Sequence, residues 1–161
     1  MKKIFSVILI LIILTGVLLS FLSIHKMASK SLEPSLKQGQ YFLSIRKYGD
    51  FPKIERTYLV LYKPNGNFEE MDFVGRVIGL PNESIMFKDG HIYIKEGDRE
   101  YQLEEKYLVS DIYNTASEEN EWINLKADEY LILTDIRGVP VDLREKIVKK
   151  QYIVGIVSKV F

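Results

Sequence analysis

Apolar residues form one long run near the amino terminus, since residues 4–24 carry no charge and consist mainly of Ile, Leu, Val and Phe. As a helix rising about 1.5 Å per residue, this run would reach roughly 30 Å, the thickness of a bilayer's hydrocarbon core. A cleavable signal peptide is the alternative, but its apolar region is typically about 7–15 residues long and ends in small residues. His25, Lys26 and Met27 follow here, which favours a retained transmembrane helix.

Beyond this run, short segments rich in β-branched and aromatic residues alternate with turn signals. Such segments are typical of strands, and Asp89-Gly90 is a strong hairpin signal between two of them. We expect helix only in the anchor and around residues 143–151, and a long loop at 113–121. The pattern predicts a mainly β domain, a barrel or a sandwich, with seven strands at residues 41–45, 58–62, 73–78, 84–87, 91–94, 130–133 and 152–157.

Charge and composition narrow the choice of function. The chain has 22 basic and 22 acidic residues and no cysteine. Balanced charge argues against a nucleic-acid partner, since phosphate binding needs clustered Lys and Arg. Two distant histidines form no metal site, so we expect no metal and no cofactor.

We divide the chain into a cytoplasmic stub with the anchor, 1–25, and an extracytoplasmic domain, 26–161. Lysines on both flanks of the anchor leave its orientation open.

The segment just beyond the anchor reads Ser-Lys-Ser-Leu-Glu-Pro-Ser-Leu and starts at Ser29. From Ser31 onward it resembles the nucleophile box of type I signal peptidases, Ser-Met-x-Pro-Thr-Leu, with Leu and Ser replacing Met and Thr. In that family the first serine attacks the peptide bond that releases a signal peptide. The resemblance implies that Ser31 occupies the nucleophile position. It also implies that Ser29 gives its hydroxyl to the oxyanion, beside the backbone N–H of Ser31.

Two further boxes follow in the order found in that family. Residues 73–81, Phe-Val-Gly-Arg-Val-Ile-Gly-Leu-Pro, are similar to the family's Val-Lys-Arg-Val-Ile-Gly-Leu-Pro. Farther on, four residues match the spacing of Gly-Asp-Asn-Arg…Ser-x-Asp-Ser-Arg, a structural third box. With three boxes behind one anchor, the chain is identified as an atypical member of the type I signal peptidases, peptidase S26, which implies their mainly β fold. The four residues that match the third box are Asp135, Arg137, Asp142 and Arg144.

One position departs from the family pattern. Gly75 stands where bacterial members have a lysine that acts as general base, and where the endoplasmic-reticulum branch has histidine. A serine needs such a base, and a lysine serves only if burial lowers its pKa. Pro140 and Leu143 also replace serines of the third box, the first of which helps to orient the lysine. General-base assistance is typically worth about 10²–10⁴-fold, so we expect impaired catalysis.

No other residue is an obvious substitute for the base. Lys30 is adjacent to Ser31, but neighbouring side chains of an extended chain point to opposite faces. Lys88 and His91 flank the predicted hairpin turn, where solvated residues are usual. We expect His25 to lie at the membrane interface.

The strand at 58–62 is apolar on both faces, which fits either a strand buried in a sheet core or a surface that meets lipid or an apolar peptide. In the family, a substrate lies in extended form along a sheet edge. The resemblance thus implies a substrate-binding surface at Tyr58, Val60, Tyr62 and Phe73.

We expect a single-pass protein of the cytoplasmic membrane, with its carboxy-terminal domain outside. The leading hypothesis is a signal peptidase-like pseudoenzyme that binds exported preproteins or pilus and surface subunits and assists their assembly, as similar proteins of Gram-positive pilus clusters suggest. The alternative is an active serine-type signal peptidase with Ser31 as nucleophile and an atypical base. A third possibility is a membrane scaffold that does not use the cleft.

Overall fold

The computed structural model describes residues 2–46, 53–66, 71–108, 120–138 and 140–161. Within these ranges one α-helix, α1 (Lys2–Ser20), precedes eleven strands. The strands are β1 (Leu22–Lys26), β2 (Tyr41–Arg46), β3 (Leu59–Tyr62), β4 (Phe73–Gly79), β5 (Ser84–Lys88), β6 (His91–Glu96), β7 (Arg99–Gln102), β8 (Ile123–Asn124), β9 (Glu129–Leu133), β10 (Ile147–Lys149) and β11 (Ile153–Val160).

The strands form two open sheets. The larger has the order β1-β2-β11-β3-β4-β9-β10, and the smaller has the order β7-β6-β5-β8. All pairings among the described strands are antiparallel. The prediction of a mainly β domain is therefore confirmed, whereas the described strands do not close into a barrel.

The apolar run at residues 4–24 does not form a single helix. α1 ends at Ser20, and after Phe21 the chain continues as β1, in which Leu22 pairs with Ile45 and Lys26 with Tyr41. The end of the run is extended because its backbone groups bond to β2. Among the described residues, no helix has the length and apolar character that crossing a bilayer requires. The helix is thus shorter than the predicted run, and the prediction of a transmembrane helix is not confirmed.

Each of the seven predicted strands is present, with ends shifted by up to three residues. The hairpin signal is also correct, since Asp89 (φ 50°) and Gly90 (φ 77°) connect β5 to β6 in left-handed conformations. The helix expected at 143–151 is instead β10 between two 3₁₀ turns. Most of the loop expected at 113–121 lies outside the described residues.

Apolar side chains of both sheets form the cores that hold the site. The largest cluster joins Ile78 of β4 and Leu131 of β9 to buried residues of β5, β6 and β8. A second cluster lies under β3 and β9 and contains Val60, Ile132 and Ile153. Strand β11 lies between β2 and β3, so it joins the amino-terminal strand pair to the rest of the larger sheet.

Candidate active-site groove

An open groove of about 1060 Å³ crosses the larger sheet. Its walls come from distant parts of the sequence: the segment after β1, the facing ends of β3 and β4, and the chain from β9 to β10. Residues that line it include His25, Ser29, Ser31, Tyr62, Phe73, Val74, Ile132, Ile136 and Arg137. We call this feature the groove.

The nucleophile box is a compact turn held by two leucines. Leu32 and Leu36 are completely buried, and the backbone N–H of Leu36 donates to the carbonyl of Leu32 at 2.9 Å. Both pack with Met27, Phe42 and Leu61 in one apolar cluster. Since burial of two leucines fixes the turn, the preceding Ser31 is held half-buried at the groove.

Ser29 and Ser31 are brought together as the sequence predicts. Their Oγ atoms lie 2.8 Å apart, within hydrogen-bond distance, and the backbone N–H of Ser31 points to Ser29 Oγ at 3.4 Å. Both serines line the groove. The pair thus presents two hydroxyls to any bound ligand, and neither is hydrogen-bonded to a basic side chain among the described residues.

The backbone of Ser31 is fixed by the third box. Its carbonyl oxygen accepts hydrogen bonds from the backbone N–H groups of Asp135, at 2.8 Å, and Ile136, at 3.2 Å. The nucleophile position and the third box, distant in sequence, therefore meet through main-chain contacts that do not depend on the identity of the side chains.

A buried ion pair reinforces this junction. Arg76 donates to both carboxylate oxygens of Asp135, from Nε at 2.7 Å and from Nη2 at 2.5 Å. It also donates to Ser35 Oγ at 2.7 Å and to the carbonyl of Thr57 at 2.9 Å. Arg76 and Asp135 are only 6% and 2% exposed. One arginine therefore links β4 to both the nucleophile box and the third box.

A second set of contacts extends from this arginine to the groove. The guanidinium of Arg76 lies 3.9 Å from the centre of the Tyr107 ring. The Tyr107 hydroxyl donates to Glu105 Oε1 at 2.7 Å, and the same oxygen accepts from Arg137 Nη2 at 2.6 Å. Burial, followed by the neighbouring Glu105 carboxylate, raises the pKa of Tyr107 well above its ordinary value. The phenol is thus a permanent hydrogen-bond donor in this cluster.

Arg137 is held tightly at the groove wall. It donates from Nη1 to the carbonyl of Thr134 and forms the buried ion pair with Glu105. Its Nε is buried without a hydrogen-bond partner among the described residues. The other third-box residues differ: Asp142 accepts the backbone N–H of Arg144 at 2.9 Å, and the exposed Arg144 side chain lies 3.6 Å from Glu121.

Gly75 is buried in β4, directly opposite Val60 of β3. A Cβ atom at this position would lie 2.5 Å from Ile132 Cγ2, and 3.2 Å from both Tyr62 Cε1 and the carbonyl oxygen of Leu133. A lysine side chain could start here only if Ile132 moved, since real Cβ atoms do not approach other atoms so closely. The position of the expected base is therefore filled by its neighbours.

The four residues predicted to bind substrate lie in different environments. Tyr62 and Phe73 are opposite each other in β3 and β4, and both line the groove. Val60 is fully buried in the core, and Tyr58 is exposed outside the groove lining, near Glu55. Only the carboxyl end of β3 thus reaches the groove.

The other basic residues considered as substitutes are separate from the serines. Lys30, Lys88 and His91 are exposed, the last two beside the β5–β6 turn. His25, by contrast, is half-buried in β1 and lines the groove. None of the described hydrogen bonds connects any of these four residues to Ser31.

His25 is held by two contacts that its sequence position does not reveal. Its Nε2 lies 3.0 Å from the Oγ of the buried Ser44, and its ring stacks on Phe42 at 5.2 Å between centroids. Burial lowers the pKa of His25; the Asp72 carboxylate opposes this shift and Arg46 adds to it. The imidazole is therefore mainly neutral at neutral pH.

The fold and these boxes together define a class of protein. The family described as "Signal peptidase, peptidase S26" matches residues 1–161. The structure is similar to that of a signal peptidase I from Enterococcus faecalis V583, with a TM-score of 0.50, 20% sequence identity, and coverage of 68% of this chain and 100% of that chain. None of the curated proteins compared with the chain matches it. Because the family match spans the whole sequence, the chain belongs to the signal peptidase family, peptidase S26.

Proposed function

We propose that this protein is a signal peptidase-like binding protein with little or no peptidase activity, which holds extended segments of exported polypeptides. The observation that carries the proposal is the combination in one groove of an open strand edge and a serine pair with no base. Binding of an extended peptide requires an open strand edge, whereas hydrolysis also requires a base beside Ser31. Among the described residues, the groove has such an edge but no such base.

The open strand edge is the first part of β4. Strand β4 pairs with β3 from Phe73 onward, but its pairing with β9 begins only at Arg76. Among the described strands, residues 73–75 thus have a partner on one side only, and Phe73 and Val74 line the groove. An extended peptide can add its backbone hydrogen bonds to such an edge, with apolar side chains against the groove walls.

The serine pair lacks the support that peptide hydrolysis needs. A serine hydroxyl attacks efficiently only when a neighbouring base removes its proton. The position that would supply this base is Gly75, with Ile132 and Tyr62 packed over it. Loss of one member of a coupled nucleophile and base can cost about 10⁶-fold in turnover.

The proposed partners are exported preproteins or subunits of pili and other surface structures, whose assembly the protein would assist. The proposed location is the outer face of the cytoplasmic membrane. This location is supported by α1, whose apolar side chains are exposed to solvent in the isolated chain, among them Ile4, Phe5 and Leu14. Exposed apolar surface of this size is favourable only against lipid or a protein partner.

The test compares cleavage with binding in the purified full chain in detergent. The cleavage substrate is a preprotein with an A-x-A site, and the binding probe is a fluorescent peptide that spans the same site. We expect binding by both the natural chain and Ser31→Ala, without turnover by either. Turnover that disappears in Ser31→Ala would refute the proposal, as would failure of the natural chain to bind the peptide.

The alternative function is an active signal peptidase that uses Ser31 with an atypical base. It is favoured by one observation, the 2.8 Å contact between the Ser29 and Ser31 hydroxyls at the groove. Such a pair is suited to binding the oxyanion of a peptide carbonyl. Cleavage in the assay above that depends on Ser31 would select this function.

The scaffold alternative predicts that neither Ser29→Ala nor Ser31→Ala affects assembly of surface proteins in cells.

A further inference from the structure

The space above Gly75 is occupied rather than empty. Val60 and Gly75 are directly opposed, so Tyr62, two residues along β3, is the diagonal neighbour of Gly75 on the same face. Tyr62 Cε1 would be 3.2 Å from a Cβ atom at position 75, and Ile132 Cγ2 would be 2.5 Å away. Aromatic side chains commonly cover glycines of neighbouring strands in this way.

The Tyr62 side chain also reaches the groove. It is half-buried, lines the groove and packs against Phe73 with the ring centroids 6.1 Å apart. The ring carbon that approaches Gly75 is adjacent to the carbon that bears the hydroxyl. The hydroxyl-bearing end of the ring therefore lies beside Gly75, on a side chain that lines the groove.

The hydroxyl of Tyr62 has no hydrogen-bond partner among the described residues, and it is not one of their buried unpaired atoms. The hydroxyl therefore has some accessible surface, on a side chain that lines the groove. Burial of the ring raises the pKa of Tyr62 above its ordinary value. At neutral pH this phenol is a proton donor and cannot act as a base.

We propose that Tyr62 is a ligand-binding residue of the groove, and that its hydroxyl donates a hydrogen bond to a backbone carbonyl of the bound extended polypeptide. The proposal rests on the proposed function, since it names a contact within the same groove. Tyr62 thus fills the space that a base at position 75 would occupy and offers the ligand a hydrogen-bond donor there. Its ring packs against the apolar cluster that contains Ile132.

The test is the affinity of the fluorescent A-x-A peptide for the full chain in detergent, measured by fluorescence anisotropy at pH 7. Tyr62→Phe keeps the ring over Gly75 and removes only the hydroxyl, so the fold is retained. We expect affinity to fall about 3- to 10-fold, the loss typical of one hydrogen bond. The matched control is Tyr58→Phe, which removes a hydroxyl from the same segment outside the groove lining and should leave affinity unchanged.

The outcomes separate this inference from the function on which it rests. Equal affinity of the natural chain and Tyr62→Phe would overturn the role of the hydroxyl, while binding itself would stand. No binding by the natural chain would instead overturn the proposed function. An equal loss in Tyr58→Phe would also count against the inference, because it would show that the effect is not specific to the groove. Unchanged thermal unfolding of both variants establishes that each is folded.

Discussion

Arg76 and Asp135 form a bidentate ion pair that is almost completely removed from solvent, with both oxygens of the carboxylate bound. Planar two-point contacts of this kind fix orientation as well as distance. Because Asp135 also donates its backbone N–H to the Ser31 carbonyl, the pair sets the position of the nucleophile box relative to β4.

Removal of one partner of this pair should strongly destabilise the fold. Asp135→Ala leaves the Arg76 guanidinium buried without its counter-ion, which typically costs about 3–5 kcal/mol. Urea denaturation of the full chain measures the loss. The control is Lys106→Ala, whose exposed pair with Glu104 should contribute less than about 1 kcal/mol. Equal effects of the two variants would contradict the structural role of the buried pair.

Tyr107 should contribute through both its hydroxyl and its ring. Tyr107→Phe removes the hydrogen bond to Glu105 and keeps the ring over Arg76, so we expect a loss of about 1–2 kcal/mol. Tyr107→Ala removes both contacts and leaves a cavity, so about 3–5 kcal/mol should be lost. The free energies of unfolding of the two variants distinguish these contributions. If the two losses are the same, the ring does not support Arg76.

Gly75→Ala should be destabilising even though alanine is the smallest replacement. The new Cβ meets Ile132 Cγ2, and overpacking of this kind typically costs about 1–3 kcal/mol. A double-mutant cycle with Ile132→Ala tests the cause, because that change removes the clashing methyl. The cost of Gly75→Ala should then shrink by about 1 kcal/mol or more.

Ile132→Val serves as the matched control in this cycle, because valine keeps the methyl that meets Cβ. It should leave the cost of Gly75→Ala nearly unchanged, and relief by valine as large as that by alanine would argue against the clash. For the same steric reason, Gly75→Lys on its own should destabilise the chain rather than restore a working base.

His25 should make stability depend on pH. Burial lowers its pKa in the folded chain below the value of about 6.5 in the unfolded chain. The unfolded state therefore takes up the proton first, so this contribution is complete above pH 6.5 and is lost as the pH falls through and below that value. The melting temperature of the natural chain should fall more between pH 7.5 and 5 than that of His25→Gln. His91→Gln, at the exposed histidine, should behave like the natural chain.

Sequence pattern predicted seven of the eleven described strands, each of which buries apolar side chains, but it did not predict β1, β7, β8 or β10. Arg99–Gln102 is mostly polar and exposed, with only Tyr101 half-buried, and it forms a strand by bonding to β6. Leu22–Lys26 continues an apolar run, so its composition gave no sign that the helix had ended before it. In both cases tertiary hydrogen bonds override local preference.

For the site, linear motifs located Ser29, Ser31 and Asp135, whose contacts the structure describes. They did not identify Glu105 or Tyr107, since these lie outside all three boxes and act through Arg76 and Arg137. The motifs also gave no sign that the space over Gly75 is filled. That filling depends on the side chains of residues 62 and 132, which β3 and β9 bring together.

The position of β11 has a consequence for how the protein is made. The strand pair β1–β2, which leads into and out of the serine segment, and the strand β3, which carries Tyr62, do not pair with each other; β11 lies between them. All three strands are synthesised before β11, which is separated from the end of β3 by ninety residues. The larger sheet therefore stays split during translation until β11 is made. The groove is therefore complete only after β11 has emerged from the ribosome and joined the two halves.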